Sequence, residues 1–151
     1  MTTREEIVAA ARAYLGAPLR HQGRYQTVDC VGLVLAVAED LALTDRDGRL
    51  IHRADYGRYG PQPVDGGVER EVALRLSRRE FKSIIEIEPG DVLVLRAPRV
   101  VCHTAIASLL PTGEIGMIHA YRPAKKVIEH HLDESWIRRI SSVFYFPTVT
   151  A

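Results

Sequence analysis

Apolar residues recur at helical spacing along the N-terminal segment, where Ile7, Val8, Ala11, Tyr14 and Leu15 share one stripe. Thr3 followed by Glu6 reads as a capping box opening that helix, and Gly16 and Pro18 stop it. The stretch from Leu19 to Val28 is polar with one glycine and reads as a loop. Asp29 is the predicted N-cap of a second helix, Cys30 to Leu43. That helix is apolar almost all round, so it belongs in the interior rather than on the surface. Asp45 to Gly67 mixes glycine, proline and charge and reads as a long loop that shapes a surface. Val68 to Phe81 returns to helical spacing at Val72, Leu74, Leu76 and Phe81, less cleanly.

After Pro89-Gly90-Asp91, a turn signal, the period changes. Val92 to Leu95 and Val100 to Leu110 are the first two predicted strands. Pro111-Thr112-Gly113 is the hairpin turn leading to Ile115 to Tyr121. Lys126 to Leu132 and Val143 to Phe146 follow as strands, with a short helix from Asp133 to Arg139 between them. Helices first and an antiparallel sheet of about five strands afterwards predict an α+β fold, as one domain over residues 1–151.

Composition changes this picture little. The chain is 46% apolar and 26% charged with a net charge of +1, ordinary for a globular domain. No basic excess points to nucleic acid. No segment is long and apolar enough to span a membrane. The charged N-terminus lacks the features of a signal peptide, so the chain is expected to be made in the cytoplasm and delivered by other means if it acts outside. Two cysteines make no disulfide framework and raise the question of a reactive thiol.

Cys30 is the candidate nucleophile. At the first turn of a buried helix, unpaired N–H groups and the helix dipole favour a thiolate, and those N–H groups suit an oxyanion. Gly32 lets another chain come close. His103, an imidazole in the apolar run VVCHTAIAS, is the candidate base. Cys102 should face the opposite way, as core filler. His119 is the candidate group to hold the base. Residues 103 and 119 lie symmetrically about Pro111 in the predicted hairpin, which pairs them across it. His21 is placed to line the cleft, and His52 reads as solvated. His130 and His131 are neighbours in a strand, cannot both face one site, and need no role. A zinc site from Cys102, His103, His119 and one of that pair lacks any supporting ligand spacing. The basic run Arg122 to Lys126 reads as a solvated turn. No cofactor or metal is implied.

Four segments in order, DCVGLV at Asp29 to Val34, PGDVLVL at Pro89 to Leu95, HTAIA at His103 to Ala107 and IHAY at Ile118 to Tyr121, resemble the NlpC-type cell-wall cysteine peptidases, small papain-like enzymes. The opening ARAYLGAPLRHQGR and the closing W…RR…FYFP resemble the version found in phage tail gene clusters. The resemblance covers nearly the whole chain. It implies a papain-like fold with Cys30 as nucleophile, His103 as base and His119 as the residue that orients it. It implies hydrolysis of amide bonds in peptidoglycan stem peptides, typically between D-glutamate and a diamino acid. Leu19 stands where many members have Tyr, and Val31 where many have Ser; those hydroxyls help form the pocket for the substrate's N-terminal side. Asp29 is retained and is the expected partner of a substrate ammonium.

Three functions follow as expectations. The first is a peptidoglycan hydrolase, carried on a virion or tail-like particle with tail proteins as partners. The second is a structural tail component with a vestigial cleft. The third is a papain-like amidase or acyltransferase on another amide.

Overall fold

The computed structural model describes residues 2–19, 30–53, 67–96, 101–147 and 149–150; the side chains of Val101, Cys102 and Thr150 lie outside that description. The predicted capping box forms: Thr3 and Glu6 satisfy each other's backbone N–H, opening helix α1, Arg4–Arg12. Helix α2, Cys30–Asp40, buries every residue from Val31 to Ala38, as its all-round apolar sequence requires. It ends earlier than the predicted Leu43. Ala42 turns left-handed (φ 52°), and Leu43 N–H donates back to the Ala38 carbonyl, which closes the helix as a Schellman motif. The Asp29 cap and the Arg20–Val28 part of the first loop lie outside the described residues, as does 54–66 of the second.

The predicted helix over Val68 to Phe81 divides. Helix α3 covers Gly67–Ala73, and Ser77–Arg79 is a strand, β2. It pairs antiparallel with Ile140–Tyr145, here β7. Between them in sequence come β3 (Val92–Arg96), β4 (Val101–Leu109), β5 (Ile115–Tyr121), β6 (Lys126–His131) and helix α4 (Glu134–Ile137). Among the described residues the sheet therefore has six strands, not about five, in the order β2-β7-β3-β4-β5-β6, each neighbouring pair antiparallel. The extra strand was hidden because weak helical spacing at Val72, Leu74 and Leu76 runs straight into it. A short parallel pair, β1 (Thr2–Thr3) with β8 (Val149–Thr150), joins the two ends.

The pleat splits the core in two. Val92, Val94, Ile106, Ile118, Ala120 and Phe144 face α1 and α2. Leu93, Leu95, Ala105, Ala107, Met117 and Val143 face the other way, toward Phe81, Ile84, Trp136 and Ile137. The Pro89–Asp91 turn fastens the helical layer to the sheet. Asp91 is wholly buried and takes Arg4 Nη1 at 2.8 Å, Arg79 Nη2, and the Glu88 N–H at 2.8 Å. Gly90 beside it adopts φ 89° with the Arg4 backbone against it, a position for glycine. No helix among the described residues is long and apolar enough to cross a membrane.

The β4–β5 hairpin is not centred on Pro111. Leu110 N–H donates to Glu114 O, and the ladder runs from Leu109↔Ile115 to Ile106↔Ile118, which centres the turn on Thr112. Residues 103 and 119 are thus not directly opposite. The offset is two residues, so both side chains stay on one face.

Candidate active site

His103 and His119 do meet, as diagonal neighbours across β4 and β5. Their rings stand edge to face with centroids 4.9 Å apart, and His103 Nε2 lies 2.7 Å from His119 Nδ1. Sequence reasoning missed the third ring. His130 on β6 pairs with Met117, two residue pairs along from His119↔Ile128, so it shares the His119 face. Its Nε2 lies 2.8 Å from His119 Nε2, and its Nδ1 lies 2.9 Å from the His131 carbonyl oxygen. His131 does face elsewhere, toward Glu114 at 3.1 Å. The signal for His130 was present as strand parity; what was lacking was the register of β6 against β5.

The backbone carbonyl sets the protonation pattern of the whole row. A carbonyl oxygen can only accept, so His130 Nδ1 carries hydrogen. For neutral rings, His130 Nε2 must then accept from His119 Nε2–H, and His119 Nδ1 must accept from His103 Nε2–H. That leaves the lone pair of His103 on Nδ1, the nitrogen a general base needs.

Burial keeps the first two rings neutral. His103 is held down to about 4, by desolvation and then by the cationic Arg139. His119 is fully buried and held down to about 2, by desolvation and then by its two histidine neighbours. Trp136 of α4 roofs the row. Its ring lies 6.4, 5.1 and 5.5 Å from those of His103, His119 and His130 between centroids. Asp133 caps α4 through the Trp136 N–H, and Arg139 stacks over the indole at 4.7 Å.

Cys30 is the first residue of α2, half-buried and packed against the helix-side core. Thr104 Oγ1 donates to its carbonyl at 2.6 Å, which brings the head of α2 to β4 one residue past His103. Thr104 and His103 lie on opposite faces of the pleat: Val94 pairs with Thr104 and belongs to the helix-side core, whereas Leu95 pairs with His103 and belongs to the other. The β3–β4 ladder shifts register beside His103, between Leu95 and Arg96. Val31 is 1% exposed, so it is core and can shape a pocket only from beneath. Leu19 is half-buried on the same core, and its N–H donates to Lys125 O. Asp29 and His21 lie outside the described residues, as does the Cys102 side chain. Among the described residues no group of three His, Cys, Asp or Glu is arranged to hold a metal ion.

No protein-family profile matches the sequence, and no curated protein matches it. Solved structures do. The NlpC/p60 domain of the peptidoglycan hydrolase SagA superposes with a TM-score of 0.61 at 20% identity, over 96% of this chain and all of that one. An NlpC/P60 family protein from Bacillus cereus gives 0.62 at 17% identity, over 95% of this chain and 40% of that one. An N-acetylmuramoyl-L-alanine amidase from Bacteroides uniformis gives 0.55 at 14% identity, over 96% and 99%. This chain spans less than half the length of the Bacillus cereus protein. At these identities the likeness is one of fold: helices packed on a six-stranded antiparallel sheet, in the papain-like NlpC/p60 arrangement.

Proposed function

We propose that this chain is a cysteine-dependent hydrolase of amide bonds in peptidoglycan peptides. The observation that carries the reading is the 2.7 Å contact between His103 Nε2 and His119 Nδ1, which leaves Nδ1 of a neutral imidazole as base. Cys30 supplies the thiol from the head of α2, tethered to β4 by Thr104. Its proton passes to His103 Nδ1 at the end of β4 as sulfur bonds the substrate carbonyl carbon. The helix-start N–H groups stabilise the oxyanion. The C–N bond then breaks, the amine takes the proton from His103, and water attacks the thioester with His103 again as base. The fold shared with the NlpC/p60 domain of a peptidoglycan hydrolase and with an N-acetylmuramoyl-L-alanine amidase supports peptidoglycan as the substrate class.

The finer reading is cleavage between D-glutamate and a diamino acid, with Asp29, His21, Leu19 and Val31 around the substrate's N-terminal side. The test is digestion of purified sacculi of known stem-peptide chemistry, with products read by mass. Fragments of the expected mass should appear with the wild-type chain and vanish with Cys30→Ala. Release that survives Cys30→Ala removes the mechanism. Release of intact stem peptide from the glycan would favour an amidase, a reading supported by the Bacteroides uniformis neighbour.

Carriage on a phage tail or tail-like particle is a further part of the proposal, supported by the opening and closing segments. Recovery of the chain in purified particles tests it. A purely structural role would show as slow alkylation of Cys30 below pH 7, equal to that of Cys102.

A further inference from the structure

We propose that His130 is the proton-holding end of a three-imidazole relay, a positioning residue that carries the charge His103 takes from the thiol; the inference rests on the reading of Cys30 and His103 above. The two nitrogen–nitrogen contacts, 2.7 Å and 2.8 Å, make one continuous hydrogen-bonded row from β4 to β6. When His103 Nδ1 gains the thiol proton, its Nε2–H bond breaks and a bond to His119 Nδ1 forms. The His119 Nε2–H bond breaks and one to His130 Nε2 forms. The sulfur is left as thiolate, His103 and His119 are neutral again in their other tautomers, and the positive charge rests on His130. Proton transfer to the leaving amine reverses the row.

The geometry favours that resting place. His119 is fully enclosed, and His103 lies against Trp136 and the field of Arg139, so neither site suits a cation. His130 is partly exposed at the outer end. Among the described residues, the charged and titratable groups around it are His119 on β5, Asp133 at the cap of α4, which feels its charge, and His131 beside it on β6. Glu129 points to the other face and is held by Arg12 at 2.9 Å. Asp133 thus places an anion at the His130 end of the row, while Arg139 repels charge at the His103 end.

The test is alkylation of Cys30 by iodoacetamide across pH, on the full chain in a Cys102→Ser background. His130→Gln keeps an acceptor for His119 but cannot take a proton. It should raise the apparent thiol pKa by about one unit, or about tenfold slower alkylation at low pH. His103→Ala should slow it at least as much. If His130→Gln superimposes on wild type while His103→Ala shifts, the relay end is wrong and the base reading stands. If neither shifts, the base reading fails and takes the relay with it. A second measurement keeps all three histidines. In Cys30→Ala, ¹⁵N imidazole spectra should show His103 exchanging Nε2–H for Nδ1–H, while still neutral, in step with the signal of a doubly protonated His130. A His103 that keeps its tautomer when His130 is seen doubly protonated overturns the proposal.

Discussion

The hydroxyl of Thr104 donates to the carbonyl of Cys30 at 2.6 Å, across 74 positions of sequence. Thr104 is fully buried in the central strand β4, and Cys30 opens the central helix α2. One side-chain bond thereby sets where the helix head sits along the strand that carries His103. Thr104→Val keeps the shape and loses the bond. It should cost about 1 kcal/mol of stability, the usual net worth of such a bond. Cys30 alkylation should slow by more than that stability loss explains. Thermal unfolding and alkylation of the same sample check this, and unchanged alkylation would show that the tether does not place the thiol.

Trp136 covers three imidazoles with one indole. Removing it in Trp136→Ala lets water reach the row, and less desolvation lets His103 rise from about 4 toward its ordinary 6.5. The expected shift is about one unit or more upward by NMR titration, with Trp136→Phe in between. A His103 titration indifferent to the indole would mean that burial by the sheet alone keeps it neutral.

Stability should fall in mild acid. His103 and His119 are depressed in the folded state to about 4 and about 2, from 6.5. Below 6.5 the unfolded chain therefore binds more protons than the folded one. Their contribution is whole above 6.5, is lost for His103 as pH falls to about 4, and continues to be lost through His119 below that. Each proton taken up adds a slope of about 1.4 kcal/mol per pH unit. Unfolding midpoints between pH 7 and 4 should drop accordingly, and His119→Gln should flatten the fall. A flat profile in wild type would show that these rings do charge in the folded protein.

Asp91 is completely buried between two guanidinium groups, Arg4 and Arg79, and also accepts the Glu88 N–H. Asp91→Asn leaves the two partly buried cations only the half-exposed Glu88 as a shared anion. The expected loss is about 3–5 kcal/mol, large against the total stability of a domain, read by denaturant unfolding. A loss under about 1 kcal/mol would mean that Glu88, which contacts both arginines, takes over the pairing.

Local signals carried much of this reading. The capping box at Thr3 and Glu6, the interior helix from Cys30 and the change of period at Pro89 each depend on near neighbours, and each appears in the fold. The strand β2 did not announce itself, because Ser77–Arg79 is short and polar and is a strand only through its partner β7.

The sequence by itself determined the fold class, the strand parity of His103 and His119, and the placing of Cys30 at a helix start, since all of these follow from periodicity. Tertiary structure decided the hairpin's true centre at Thr112, the entry of His130 into the histidine row, and the roof of Trp136 over it. Those depend on register between strands and on packing between elements far apart in the chain. No local pattern encodes a register; it is selected only when the faces of neighbouring strands are buried together.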